Sequence, residues 1–221
     1  YNLDETAVII TQTGGQCRAT NYLGLIKKAM IEAGYGQVPV LSFAPGSSKY
    51  NEQPGFRIPW MKILPMALAV ILFSDCLAQY YYATLAREEQ KGEAERLRNF
   101  YLERAKALIA TDKSGALYDL IAEAARDFDR IPMCDRHLPK VGIVGEIFLK
   151  FNSFAHKDVV NYLARHDVEV LPPLLLKFFT QSFVNRKQYK RAHVENDGIP
   201  DFVADILYAL VCRKIDKANR K

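Results

Sequence analysis

The stretch that most limits how this chain can fold runs from Ala7-Val8-Ile9-Ile10 through Thr11-Gln12-Thr13-Gly14-Gly15-Gln16-Cys17-Arg18-Ala19-Thr20-Asn21-Tyr22 into a helical pattern. The apolar run reads as a buried strand, and Leu23, Ile26, Met30 and Ala33 recur at the spacing of one helix face. Gly34 and Gly36 end that helix, and Val38-Pro39-Val40-Leu41-Ser42-Phe43 reads as a second strand. A strand, a helix and a strand in this order place the two strands in parallel with a right-handed crossover. The expected fold class is therefore α/β.

The loop inside this unit carries chemistry. Gly14 and Gly15 let the backbone bend and approach a ligand closely, and the first-turn amides of the next helix carry partial positive charge. Cys17 sits where that field favours a thiolate, with Arg18 beside it. The plainer alternative is a simple turn with a cysteine that serves as a small buried hydrophobe. The dinucleotide fingerprint is not met, because the spaced third glycine is missing, and no Gly-Lys-Ser/Thr follows to make a phosphate loop.

A chain of 221 residues fits one large domain or two small ones. Opening at Tyr1 on the approach to a strand, it reads as an internal segment of a longer protein. Its four cysteines, Cys17, Cys76, Cys134 and Cys212, form no Cys-x-x-Cys pair, which argues against a self-contained zinc knuckle. No secretory signal is visible, so the expected setting is a reducing cytoplasm without a disulfide framework. The formal net charge is +5, and the stretch Phe183–Lys221 alone holds nine Lys/Arg against five Asp/Glu. Such an end is the solvated face of a terminal helix or a binder of acidic ligands or nucleic acid, and no nucleic-acid module accompanies it.

The loop Ala44–Gly55 leaves the first unit, which spans 1–55, and a helical insertion is expected over 56–131. Its apolar run Ile63–Phe73 is too short to span a bilayer and reads as a buried helix starting near Pro65 and reaching Tyr80-Tyr81-Tyr82. The tyrosines read as packing residues with hydroxyls at the edge, or as the lining of a pocket. A charged helix with Leu97, Phe100, Tyr101 and Leu108 follows. After the Lys113-Ser114-Gly115 break comes another, with Leu117, Leu120, Ile121, Ala124, Phe128 and Ile131 on one face. Cys134 and His137 have ligand spacing but lack two further ligands. Cys76 and Cys212 read as structural thiols.

Over 132–221 the pattern predicts a second strand-helix-strand unit with C-terminal helices. Lys140–Phe148 reads as a strand, Asn152 and Ser153 as caps of a helix carrying Val159, Val160 and Leu163, and Val168–Pro172 as the closing strand. Helices are expected over Leu174–Val184 and from Pro200-Asp201 onward. Gly145 and Glu146 lie at the carboxyl end of their strand, where ligands of parallel sheets bind. Glu146 is either a buried carboxylate acting as base or acceptor, or merely the start of the exit loop while Gly145 relieves crowding.

The run Ile10–Tyr22 with Val38-Pro39-Val40-Leu41-Ser42, the block Lys140–Ile147 with Val168-Glu169-Val170-Leu171-Pro172, and the shorter Pro54-Gly55-Phe56 and Lys91-Gly92-Glu93-Ala94 resemble the 2-hydroxyacyl-CoA dehydratase family. More narrowly, they resemble the dehydratase-like portion of the long CoA-substrate-specific enzyme activase fusion proteins. The resemblance implies Rossmann-like parallel-sheet lobes that hold an iron-sulfur cluster of the 4Fe-4S kind between cysteine-bearing loops. It also implies low-potential electrons delivered by an ATP-dependent activase domain or subunit, an acyl-CoA substrate and a homodimer. Cys17 is then a cluster ligand, with Gly14 and Gly15 allowing close approach of the backbone. Beside it, Arg18 and Asn21 are expected as loop-stabilising or anion-facing groups, and Gly145 and Glu146 as pocket residues with Glu146 the catalytic carboxylate. Gln16 stands where relatives commonly carry a third glycine. The nucleotide-binding motifs of the activase and the family's other cysteine motifs are absent, so the segment is not expected to hydrolyse ATP or to complete a cluster unaided.

Two other classes of function stand beside this one. One is a noncatalytic domain that docks the activase on its partner through the helical insertion. The other is binding of acidic ligands or nucleic acid through the basic end. Neither a membrane nor a nucleic-acid partner is the leading expectation.

Overall fold

The computed structural model describes residues 2–12, 18–43, 51–57, 59–178, 191–192, 209 and 213. The structure is mixed helix and strand and divides into two compact units, Tyr1–Ile63 and Leu64–Lys221. The helical segment and the second strand pair thus share one unit.

In the first unit, β1 (Val8–Thr11) leads through a 3-10 turn (Arg18–Asn21) into α1 (Tyr22–Glu32) and then β2 (Val40–Phe43). The strands are parallel, with Val8 beside Val40 and Thr11 beside Phe43. This is the strand-helix-strand order that the apolar spacing predicts. Leu23 of α1 is buried, Ile26 and Met30 are half-buried, and Ala33 is exposed. The helix stops because Gly34 takes φ +83°. That lets Gly34 N–H donate to the Ile31 carbonyl and Tyr35 N–H to the Met30 carbonyl, at 3.1 and 2.7 Å.

In the second unit, α2 (Trp60–Leu85), whose first residues belong to the first unit, is followed by α3 (Glu93–Ala110) and α4 (Leu117–Asp129). The helix α2 begins ahead of Pro65 and runs for 26 residues. By length and composition alone it can cross a membrane, so the apolar run is shorter than the helix it belongs to. Its Ala69, Leu72, Phe73, Leu77 and Tyr81 nevertheless pack into one core with Tyr101 and Ala105 of α3 and with α4. On α4, Leu117, Leu120, Ile121, Ala124 and Phe128 are all buried, and Ile131 just beyond it is buried too, as their spacing predicts. Tyr81 is buried beneath the Arg98 guanidinium, 4.4 Å from the ring centre, and Tyr82 donates its hydroxyl to Asn161 at 3.4 Å. The tyrosines therefore pack, with polar ends at the margin.

Two buried carboxylates tie segments together by accepting backbone N–H groups. Glu88 accepts from Gly92 and Ala94 at 2.8 and 2.7 Å, satisfying orphan donors where α3 starts. Asp75, inside the apolar α2, accepts from Leu175 and Leu176 at 3.0 and 2.8 Å. A helical turn begins there at residue 175.

The rest of this unit comprises β3 (Lys140–Gly142), α5 (Ile147–Phe151), α6 (Val159–Arg165) and β4 (Glu169–Leu171), with β3 and β4 parallel. Val160, Ala164 and Val170 form a small second core with Tyr82 and Leu85. The strand is shorter than Lys140–Phe148. Beyond Gly142 the chain turns at Gly145, φ +141°, and Glu146 caps a helix, taking the Leu149 N–H at 3.3 Å. An apolar triplet such as Ile147-Phe148-Leu149 suits either structure, and the cap decides. Glu169 is buried yet paired twice, with Arg87 at 2.5 Å and Lys140 at 2.9 Å. Such pairing keeps a buried carboxylate tolerable.

Candidate functional site

At the carboxyl ends of β1 and β2 lies a connected set of amides and hydroxyls. Ser42, fully buried on β2, donates its hydroxyl to Gln12 Oε1 at 2.8 Å, and Gln12 Nε2 donates to the Thr20 carbonyl at 3.2 Å. Gln12 and Thr20 flank positions 13–17 in sequence, and this chain of bonds ties both flanking residues to Ser42 of β2. The Gln53 side chain pairs with Ser42 in both directions: Ser42 N–H donates to Oε1 at 3.0 Å and Nε2 donates to the Ser42 carbonyl at 3.3 Å. Asn51, also buried, donates Nδ2 to the Val40 carbonyl at 2.9 Å and to Gln53 Oε1 at 3.0 Å, while its Oδ1 accepts from the Lys27 ammonium. Buried amides satisfied this fully act as rigid supports.

Of the residues singled out from sequence, Gly14, Gly15 and Cys17 lie outside the described residues, as does Cys212. Arg18 and Asn21 bound the 3-10 turn after the loop; both are exposed, and Asn21 makes no side-chain cap to α1. Sequence reading did not assign Gln12, Ser42, Asn51, Gln53 or Lys27. The one available signal was a run of polar residues, Thr11-Gln12-Thr13, directly after an apolar strand.

The second strand pair also ends in a cleft, of about 320 Å³, lined by Val144, Gly145, Lys150, Leu174, Lys177 and Phe178 among others. Glu146 is half-exposed at its α5 cap. Lys150 is half-buried, with its ammonium 5.5 Å from the Phe151 ring centre, and makes no ion pair with a described carboxylate.

The described residues do not supply a metal shell. Among them no group of three or more His, Cys, Asp or Glu side chains converges. Cys76 is buried in the helical core, where desolvation pushes its thiol up to about 11, so it stays protonated and inert. Cys134 is half-buried, with its backbone N–H on the Arg87 carbonyl at 2.8 Å, and His137 is exposed. What the geometry offers is a braced pair of residues, Gln12 and Thr20, at one strand pair and a basic, apolar-walled cleft at the other. The chain matches no protein family, no curated protein and no solved structure.

Proposed function

We propose that this chain is the iron-sulfur, dehydratase-like component of a 2-hydroxyacyl-CoA dehydratase and activase system, accepting low-potential electrons from an ATP-driven activase in the cytoplasm. Its parallel strand pairs are then parts of Rossmann-like lobes, with Cys17 as one thiolate ligand and Gly14 and Gly15 giving the loop its close approach. Among the described residues no complete cluster shell is present, so the remaining ligands would come from elsewhere. Arg18 and Asn21 face anions beside the loop, and Gly145 and Glu146 border the substrate pocket.

The observation that carries this reading is the Gln12–Thr20 and Gln12–Ser42 bonding of the residues that flank 13–17, at the carboxyl end of a parallel pair. A ligand-holding loop needs flanks of this kind, because the supports and not the loop fix the position of a thiolate. Anaerobic iron and sulfide analysis of the full-length protein, with Cys17→Ser beside it, tests the reading. Iron falls in the variant if Cys17 is a ligand, whereas unchanged iron and sulfide remove it from the ligand set.

A further inference from the structure

Ligands of parallel sheets bind beyond the carboxyl ends of the strands, and the cleft beyond β3 and β4 has walls of two kinds. Val144, 89% exposed, Leu174 and Phe178 present hydrocarbon. Lys150 and Lys177 contribute ammonium groups, and among the described residues no acidic side chain lines the cleft. A half-buried lysine lays its stem along apolar surface and leaves its ammonium at the edge, where it can meet an anion. Lys27, also half-buried, has a partner in Asn51. Among the described residues, Lys150 has only the ring of Phe151. Glu146 lies close in sequence, but its carboxylate is turned to the Leu149 N–H. At about 320 Å³ the cleft suits a small molecule and not a folded partner.

We propose that this cleft binds a small amphipathic carboxylate, its anionic group against Lys150 and its apolar part along Val144, Leu174 and Phe178. An ammonium is a compact point charge that pairs with any small anion, and the hydrocarbon of Val144, Leu174 and Phe178 beside it is matched by an anion that carries an apolar tail, of which a monocarboxylate is the simplest. The bound anion restores the electrostatic partner that Lys150 lacks, and the tail covers side chains otherwise left in water. The assignment rests on the reading of Gly145 and Glu146 as pocket residues for its location. It does not depend on Cys17, so octanoate binding and iron content fail separately.

Octanoate is titrated calorimetrically into the full chain, with octylamine as the charge-reversed control. Saturable binding of octanoate and none of octylamine is expected. Lys150→Gln weakens octanoate about tenfold, or about 1.4 kcal/mol, and Lys150→Arg retains it. Val144→Asp, at a position in open solvent, gives a second loss by repulsion. Urea unfolding of both variants is expected to match the parent. Non-saturable uptake, equal binding of octylamine, or parent-like octanoate binding in both Lys150→Gln and Val144→Asp overturns the proposal.

Discussion

Replacing Glu88 by Gln tests how much of the helical unit hangs on one carboxylate. Glu88 is 2% exposed, and its two oxygens take the N–H groups of Gly92 and Ala94 at 2.8 and 2.7 Å. Gly92, at φ +92°, has no side chain with which to cap α3 itself. Gln keeps the shape but turns one acceptor into a donor, so one N–H loses its partner and faces another N–H. Hydrogen bonds to charged groups are worth about 1.5–3 kcal/mol, and an unsatisfied buried donor costs about 1–3 kcal/mol. Relief from burying the charge offsets part of this, leaving a loss of about 2–3 kcal/mol for Glu88→Gln and about 3–4 kcal/mol for Glu88→Ala, which orphans both donors. At roughly 2–4 °C per kcal/mol for a domain of this size, the thermal midpoint falls by about 5–10 °C in the Gln variant. Urea unfolding with an unchanged slope is the assay, and Glu89→Gln, at an exposed neighbour, is the control expected within about 0.5 kcal/mol. A loss in Glu88→Gln no larger than in that control would refute the idea that this carboxylate starts α3.

Three further outcomes follow from groups placed by the fold. Burial raises Asp75 above the ordinary carboxylate range against the pull of the Leu176 and Leu175 N–H groups, so its contribution is present below about pH 4 and lost as pH rises through the native value. Relative to the parent, Asp75→Asn should therefore gain stability between about pH 4 and pH 7; urea midpoints across that range read the slope, and a flat or inverse slope refutes it. In a Cys17→Ser, Cys212→Ser background, Cys134 should react with a disulfide reagent near neutral pH, while Cys76 reacts only after unfolding. Equal rates for the two thiols contradict the burial argument. Lys157 and Asp158 are consecutive left-handed residues at φ +51° and +55°. Lys157→Gly should add about 0.5–1 kcal/mol, while Asp158→Gly, which gives up the 2.8 Å bond from Asn161, should be nearly neutral; unfolding free energies that place the two substitutions in the opposite order reject the strain account.

Periodic features were readable from sequence because they are local. The face of α4 from Leu117 to Phe128 repeats every three or four residues, and the two parallel pairs follow from apolar runs separated by helical spacing. The end of β3 was not readable. Ile147-Phe148-Leu149 continues the apolar run without a break, and what ends the strand is the backbone angle of Gly145 and a cap formed by Glu146. The supports of the 13–17 loop were hidden for a different reason. Gln12 meets Ser42 across 30 positions, and Asn51 and Gln53 reach back 11 positions to β2. No composition or period encodes such pairings. Glu88 precedes α3 and reaches forward four and six positions to it, a contact that no helical period marks. The resemblance carried by Ile10–Tyr22 is a pattern of residue identities, which bears on chemistry more than on packing.

The hydrogen bonds that Asn51 and Gln53 give to Val40 and Ser42 have a consequence for assembly. An unguarded strand templates whatever extended peptide drifts past, and that is how aggregates start. On β2 the docking positions are already taken by two amide side chains standing in for a strand. Lengthening of this sheet on the β2 side is therefore blocked, and Gln53→Ala would reopen that margin to edge-to-edge polymerisation.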